Sequence, residues 1–415
     1  MLKIELTYSG QTVPVEIPDN VRIEIVKAGE QPLRDQAALF AQALARPINS
    51  VSLEDYMNSD QEFFFIVNDA TRPTPTATVL EVIYPFIKGR NVKFMVATGT
   101  HRRPTSEELQ NIMGRFYREF NENICIHDAR NDMELEKAGC SKNGHEIWIN
   151  RQIYQSQKLV VINSVEPHYF AGYTGGRKSI VPGVAGYQTI EQNHKLAMSR
   201  DSASLKLDGN PVHEDMIDSL RCLDDKEIFS VQTVLDIHNN LVAVTTGHIQ
   251  DSFLAAVQVA ESVFSVKVRK PADIVIAVVG PPKDINLYQA QNSLENAKIV
   301  LKDGGILILV SPCREGIGPS TFYDLMSEFS TPQEILDRVE SGYQLGYHKA
   351  VKLAQILKRA EIWGVTDLPG AQLEAIFIKS FDSIQDAVNQ AIRGLEKDPT
   401  MTVLMDSDRI VPVMT

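Results

Sequence analysis

The chain has 415 residues, 43% of them hydrophobic, which supplies core for two or three packed domains and excludes a disordered or fibrous class. Acidic side chains outnumber basic ones by 53 to 41, a formal net charge of -12, so phosphate backbones and anionic membrane surfaces meet net repulsion; neither nucleic acid nor membrane is expected as a partner. Four scattered cysteines, Cys125, Cys140, Cys222 and Cys313, make neither a disulfide framework nor a thiolate metal cage and suggest a reducing, cytoplasmic setting.

In chain order, the opening Met1-Leu-Lys-Ile-Glu-Leu6 alternates as a strand does and lacks the basic segment and apolar core of a signal peptide. It predicts a β-hairpin turning near Ser9-Gly10. Buried strands are expected at Phe63–Val67, Val92–Ala97, Leu159–Ile162, Asp273–Val279 and Ile306–Val310, all short apolar runs. Several are followed by glycine-containing turns and helical patterns, the grammar of a mostly parallel α/β sheet. Pro73 and Pro75 suit the first turn of a helix running through Ile83, and Thr105-Ser-Glu-Glu108 has the form of a capping box. No run reaches membrane-spanning length. The basic, proline-marked segment Lys267-Val-Arg-Lys-Pro271 is the expected boundary, giving an N-terminal domain of residues 1–270 and a C-terminal domain of residues 271–415 whose last residues return to the first. The expected fold is two α/β domains with mostly parallel sheets and an active site in the cleft between them.

Chemistry collects where strands stop. Asn68-Asp-Ala-Thr-Arg-Pro-Thr-Pro75 follows the first run, Thr98-Gly-Thr-His-Arg-Arg-Pro104 the second, and Asn163-Ser-Val-Glu-Pro-His168 the third. The carboxyl edge of an open parallel sheet is its ligand crevice, so Asp69, Arg72, His101 and His168 are expected to converge there. An imidazole is more often a hydrogen-bonded structural group than a catalyst, and His127, His145, His213, His238 and His248 are read that way. His101 and His168, in loops directly after strands, are read as acid–base groups. Arg72, ahead of a proline-started helix, reads as an anion binder. The run Glu166–Gly183 adds Lys178 among Gly172, Gly175, Gly176 and Gly183, a density that suggests backbone held close to a ligand. That run is not a P-loop, because Arg177 stands where the motif needs glycine. The Cys125/His127 and Cys140/His145 pairs do not have the spacing of zinc modules.

Together, Asp69-Ala-Thr-Arg-Pro-Thr-Pro75, Thr98-Gly-Thr-His101, Glu166-Pro-His168, Gly175-Gly-Arg-Lys178, His194 and Tyr288-Gln289 resemble the nickel-dependent lactate racemase family, in the same order and at similar spacing over most of the chain. The resemblance implies an isomerase carrying a nickel-pincer nucleotide, nickel pyridinium-3,5-bisthiocarboxylic acid mononucleotide. It maps covalent attachment to Lys178, the nickel ligand to His194, cofactor contacts to Asp69, Ala70, Thr71 and Arg72, and the two acid–base groups to His101 and His168. Arg72, Tyr288, Gln289 and Asn292 would contact substrate, a small 2-hydroxy acid, which would pass through a 2-keto acid by reversible hydride transfer. Proteins that make the cofactor and insert nickel are implied as partners.

One departure bears on substrate. Lactate-specific members carry a lysine three residues after the Tyr-Gln pair, where this chain has Asn292, which suggests a polyhydroxy acid such as an aldonate in place of lactate. His348, Lys349 and Arg103 are weaker site candidates. The alternatives are a nickel-free dehydrogenase or sugar-phosphate enzyme of the same fold, with Gly175-Gly176 cradling a phosphate, and a noncatalytic cofactor-binding protein.

Overall fold

A computed structural model describes residues 1–395 and 398–415. It divides into two compact units, Glu30–Val263 and a second made of Met1–Gly29 with Phe264–Thr415.

The Glu30–Val263 unit is built on a six-stranded sheet in the order Leu241–His248, Glu227–Leu235, Lys158–Ser164, Phe63–Asn68, Val92–Ala97, Ile124–Ile126. All neighbours are parallel except the first pair. Phe63 to Val67 are all buried, because strands covered on both faces need apolar side chains pointing both ways. Phe63, Phe65 and Val67 pack with Phe94, Val160 and Ile162 and with Val79, Leu80 and Ile83 of the Thr76–Ile87 helix. Each such side chain contributes about 1.5–3 kcal/mol on burial. The expected capping box is present: the Thr105 hydroxyl accepts from the Glu108 amide at 3.2 Å, and Glu108 Oε2 accepts from the Thr105 amide at 2.7 Å. From Phe63–Asn68 the chain adds strands on one side, then returns to place Lys158–Ser164 on the other. The switch point therefore lies just beyond Asn68 and Ser164.

The second unit holds a wholly parallel sheet in the order Ile378–Phe381, Glu361–Val365, Leu301–Val310, Ala272–Val278, Thr400–Leu404, Arg22–Val26. The hairpin Leu2–Tyr8/Gln11–Ile17 turns at Ser9 and Gly10, both with positive φ.

The division differs from the one expected at residue 270. Arg22–Val26 pairs with Thr400–Leu404, and Ile4, Leu6, Val15 and Ile17 share a core with Ile276, Ile308, Trp363 and Val403, so the opening residues belong to the second unit. Its other end starts at Phe264, where Ser265–Val268 pairs with Val411–Met414. Among the described residues no helix is long and apolar enough to cross a membrane.

Leu6→Ala is expected to cost about 2–5 kcal/mol, as for other buried leucines. The loss should lower the unfolding midpoint followed by Trp363 fluorescence, whose ring shares that core.

Candidate active site

The switch point of the Glu30–Val263 unit is laced by polar side chains. Asn163 Nδ2 donates to Asn68 Oδ1 at 3.1 Å and to Ser179 Oγ, Asn68 Nδ2 donates to Thr74 Oγ1 at 2.8 Å, and Thr74 meets Ser164 Oγ at 2.9 Å. These bonds tie two strand ends to the loop after Asn68 and to the Gly176–Ser179 turn that carries Lys178.

Asp69 begins that loop, 5% exposed. Its Oδ1 accepts from the Thr71 hydroxyl at 2.6 Å and the Thr71 amide at 3.2 Å, a local turn motif. Its Oδ2 lies 2.7 Å from His101 Nδ1. Burial raises the carboxyl pKa, but the hydrogen bond and charge of His101, the Thr71 hydroxyl and the Arg72 charge outweigh it, so Asp69 is held below the ordinary carboxylate value. An ionised carboxylate only accepts, so His101 Nδ1 carries the proton of that bond. The His101 side chain is half exposed. Arg72 Nη1 is 3.4 Å from Glu166 Oε1, so its partner is the glutamate two residues before His168.

His168 lies in the short pairing of Pro167–His168 with Gly172–Tyr173. Its Nδ1 accepts from the Ala171 amide at 3.3 Å, and its Nε2 is 3.5 Å from Lys178 Nζ. Its pKa is held well below the usual histidine value by burial and then by the charges of Lys178, Arg72, His194 and Arg177. A neutral ring whose Nδ1 accepts must bear its proton on Nε2, so the Lys178 contact requires a neutral amine as acceptor. Burial, then Arg72 and Arg177, do hold Lys178 well below the lysine range, against the pull of Glu166.

His194 sits in the last turn of the Tyr187–Lys195 helix, where the dipole favours an imidazolium. Burial and then the Lys178 charge override this and bring it down to about 3, against a backbone hydrogen bond to Ile190. Phe170 joins the groups: its ring centroid is 4.5 Å from that of His168, 5.1 Å from that of His194 and 5.6 Å from Lys178 Nζ. The sequence pattern of polar groups at strand ends leads to Asp69, His101 and His168, but it gave no role to Glu166 or Phe170, whose only signal is adjacency to His168.

Family models of the lactate racemase N-terminal and C-terminal domains match residues 8–206 and 267–411. The chain belongs to the lactate racemase family. It is 30% identical to the lactate racemase of Thermoanaerobacterium thermosaccharolyticum over 427 residues, covering 99% of both chains, and 30% identical to that of Lactiplantibacillus plantarum over 425, covering 98% of both. The lactate racemase apoprotein structure from the former organism matches with a TM-score of 0.92 at 28% identity, over 99% of this chain and 100% of that one. A protein from Thermotoga maritima shares the fold alone, with a TM-score of 0.67 at 14% identity over 89% of this chain and 100% of that one.

For this family member, one expectation needs correction. The glycines of the Glu166–Gly183 run press against the protein itself: a Cβ at Gly172 would stand 2.2 Å from the Lys206 carbonyl oxygen, and one at Gly175 2.6 Å from Val165 Cγ2. Arg177 is likewise internal, donating to the Ala171 carbonyl at 2.8 Å and lying over the Phe253 ring. Ala70 and Thr71 are exposed, as are His101, Arg102 and Arg103, with Arg102 paired to Glu108. His127 is a core histidine, 2.9 Å from the Ala185 carbonyl. In the second unit, Tyr288 is half-buried, Gln289 exposed and Asn292 half-buried on the Leu287–Ala297 helix, while His348 Nδ1 meets the Tyr343 hydroxyl at 2.9 Å.

Lys178 carries a proton in the unfolded chain at pH values where the folded protein leaves it neutral. The unfolded state then binds more protons, so this group makes stability rise with pH towards the ordinary lysine value. Lys178→Met should flatten that rise, measured as unfolding free energy against pH from 7 to about 10.4.

Proposed function

We propose that the chain is a 2-hydroxy acid racemase or C2-epimerase that holds a nickel-pincer nucleotide and works by reversible hydride transfer through a 2-keto acid. The observation that carries this is the grouping of an amine and two imidazoles, all held neutral, around Phe170. A neutral amine is a nucleophile and a neutral imidazole a metal ligand, which suits Lys178 for covalent attachment and His194 for nickel. Among the described residues no group of three or more His, Cys, Asp or Glu is placed to hold a metal. A metal here would then draw most donors from an organic ligand, and nickel(II) takes nitrogen and sulfur in planar geometry. Once bound, the group supplies a reversible acceptor for the hydride of the substrate Cα. Asp69, Ala70, Thr71 and Arg72 would line it.

The two histidines serve as base and acid in turn. With Nδ1–H directed at Asp69, a neutral His101 offers the Nε2 lone pair to the substrate hydroxyl proton, and the carboxylate stabilises the imidazolium that forms. His168 rests with one proton, on Nε2, and acts as the acid after taking up a second to become an imidazolium. As the hydride leaves Cα with its electron pair, the hydroxyl proton passes to His101 and a planar keto acid results. Hydride returned to the opposite face, with a proton from the imidazolium form of His168 to the carbonyl oxygen, gives the enantiomer or epimer and leaves His168 neutral; the proton held by His101 is then released to solvent and His168 takes one up to restore the cycle. The reverse reaction exchanges the two roles. Arg72 engages Glu166 at 3.4 Å, longer than the roughly 2.7–2.9 Å of a strong charge-assisted bond, and its planar donors suit a substrate carboxylate.

The relatives are named lactate racemase, which supports a hydroxy acid substrate. The case for an aldonate rests on charge lost at Asn292, and Lys349 Nζ donates to that side chain at 2.9 Å. Lactate and aldonates therefore belong in one assay panel of 2-hydroxy acids, with Tyr288, Gln289 and Asn292 as the proposed substrate contacts to vary.

After co-expression with cofactor-making enzymes, intact mass should show an adduct that Lys178→Ala loses, and His194→Ala should lose nickel. His101→Ala or His168→Ala should retain nickel while turnover falls about 100-fold or more, the usual scale of acid–base catalysis. An unmodified Lys178 in active protein would overturn the reading. Deuterium on the substrate Cα should stay in the product; washout into solvent would mean proton abstraction. Asp69→Asn should lower kcat at least about 100-fold and leave nickel content unchanged, because the amide cannot stabilise an imidazolium as a carboxylate does.

A further inference from the structure

Within the Glu30–Val263 unit, the helix Pro211–Leu220 packs against both the Tyr187–Lys195 helix and the Gly176–Ser179 turn, the segments that carry His194 and Lys178. Its buried face is not wholly apolar. Asn210 caps it and Asp215 follows in its second turn, at 0% and 2% exposed. A polar side chain taken out of water costs free energy unless it is hydrogen bonded, so what these two hold is informative. Asn210 Oδ1 accepts the Val212 amide at 3.0 Å, and its Nδ2 donates to the Phe170 carbonyl at 2.9 Å. Phe170 is the residue whose ring meets both His168 and His194.

Asp215 reaches the other segment. Its Oδ2 accepts from Asn193 Nδ2 at 2.9 Å and its Oδ1 from Asn143 Nδ2 at 2.8 Å, while His145 Nε2 stands 3.5 Å from Oδ2. Asn143 and His145 belong to the tip of the hairpin Leu135–Cys140/Glu146–Asn150, so one carboxylate joins three segments. Ser141, His145 and Asp215 do fall in the order of a hydrolase triad. The imidazole is reversed, however, meeting serine through Nδ1 and aspartate through Nε2, and the buried Ser141 oxygen accepts the Asn143 amide at 3.2 Å. That serine closes a turn.

The Tyr187–Lys195 helix needs such a partner. At nine residues it is shorter than a helix that holds itself in water. Its first turn is fixed by Thr189, whose hydroxyl accepts the Trp148 amide at 2.9 Å and donates to the Glu146 carbonyl at 3.1 Å. In its last turn the buried residue is Asn193, beside His194, where an amphipathic helix ordinarily carries an apolar side chain. Asn193 Nδ2 gives both protons to the Pro211–Leu220 helix, one to Asp215 and one to the Val212 carbonyl at 3.3 Å. Its Oδ1 is buried and finds no hydrogen-bond partner among the described residues. A half-satisfied amide is a poor core residue, and what it supplies here is direction.

We infer that Asp215 is a positioning residue for the nickel ligand: by holding Asn193 it fixes the turn that presents His194, while Asn210 on the same helix holds Phe170 against that imidazole. The inference rests on the reading of His194 as the nickel ligand. Groups that orient a metal ligand typically carry about 10–100-fold of metal affinity, and here the orientation is passed through the helix backbone from the neighbouring residue.

The test compares wild type with Asp215→Ala, Asp215→Asn, Asn193→Ala, Asn143→Ala and the double variant Asp215→Ala/Asn193→Ala. Each apoprotein is followed by hydrogen exchange in the Tyr187–Lys195 helix and by its thermal midpoint. Each protein co-expressed with cofactor-making enzymes is followed by nickel content before and after dialysis against a chelator. Asp215→Ala and Asn193→Ala should each speed exchange in that helix and lower nickel retention about tenfold or more. Should Asp215→Ala not fold, Asn193→Ala reads the same bond. The double variant should lose no more nickel than Asp215→Ala, because the bond is already gone. Asp215→Asn keeps an acceptor oxygen for Asn193 and should recover most of the retention. Asn143→Ala frees the hairpin tip from the same carboxylate, and should lower the midpoint while nickel and helix exchange stay near wild type. Nickel loss that merely follows the midpoint across all variants, Asn143→Ala included, would overturn the inference, as would unchanged retention in Asp215→Ala and Asn193→Ala. Wild type without nickel would defeat the proposed function instead, and exchange in the apoproteins would still decide whether Asp215 holds the turn beside His194.

Discussion

Desolvation of basic groups is the constraint on which the site depends. Lys178, His168 and His194 lie within reach of one another's charge, with Arg72 and Arg177 adding two more cations, and Asp69 and Glu166 stand nearby as anions. So many positive charges cannot coexist at low dielectric, and the groups able to lose a proton are held neutral. Neutrality is the chemically useful state: it leaves a lone pair on the amine and on each imidazole. The exception proves informative. His101, half exposed and 2.7 Å from a buried carboxylate, is the one imidazole here whose cation has a dedicated partner.

Topology delivers these groups to one place. The chain leaves Phe63–Asn68 in one direction and returns to its other side, so the two loops at the switch point, one bearing Asp69 and Arg72 and the other Glu166 and His168, emerge from adjacent strands. Asn68, Asn163, Thr74, Ser164 and Ser179 then act as a polar frame beneath the reactive groups. Their bonds fix strand ends to loops, where backbone freedom would otherwise blur the geometry that acid–base chemistry needs.

Much of this was legible in the sequence because its signals are local. The buried run Phe63–Val67, the capping box at Thr105 and the hairpin at Ser9-Gly10 each depend on neighbouring residues, and the loops holding Asp69, His101 and His168 follow strands that announce themselves. What was not legible depends on distant partners. Nothing near Arg22 signals that its strand pairs with Thr400–Leu404, and so the opening residues fell to the wrong unit. The glycine density was visible but its cause was not, since Lys206 and Val165 crowd Gly172 and Gly175 from elsewhere in the chain. Arg72 had a plausible neighbour in Asp69, yet Glu166 makes the contact across two loops.

Position 292 carries the same lesson into specificity. Read along the chain, position 292 is a neutral asparagine with no cation beside it. In space the amine of Lys349 stands against that side chain at 2.9 Å, delivered by a second helix. Buried among a carbonyl, an amide and an aromatic face, this amine titrates near neutrality, whereas a solvated lysine would stay charged throughout.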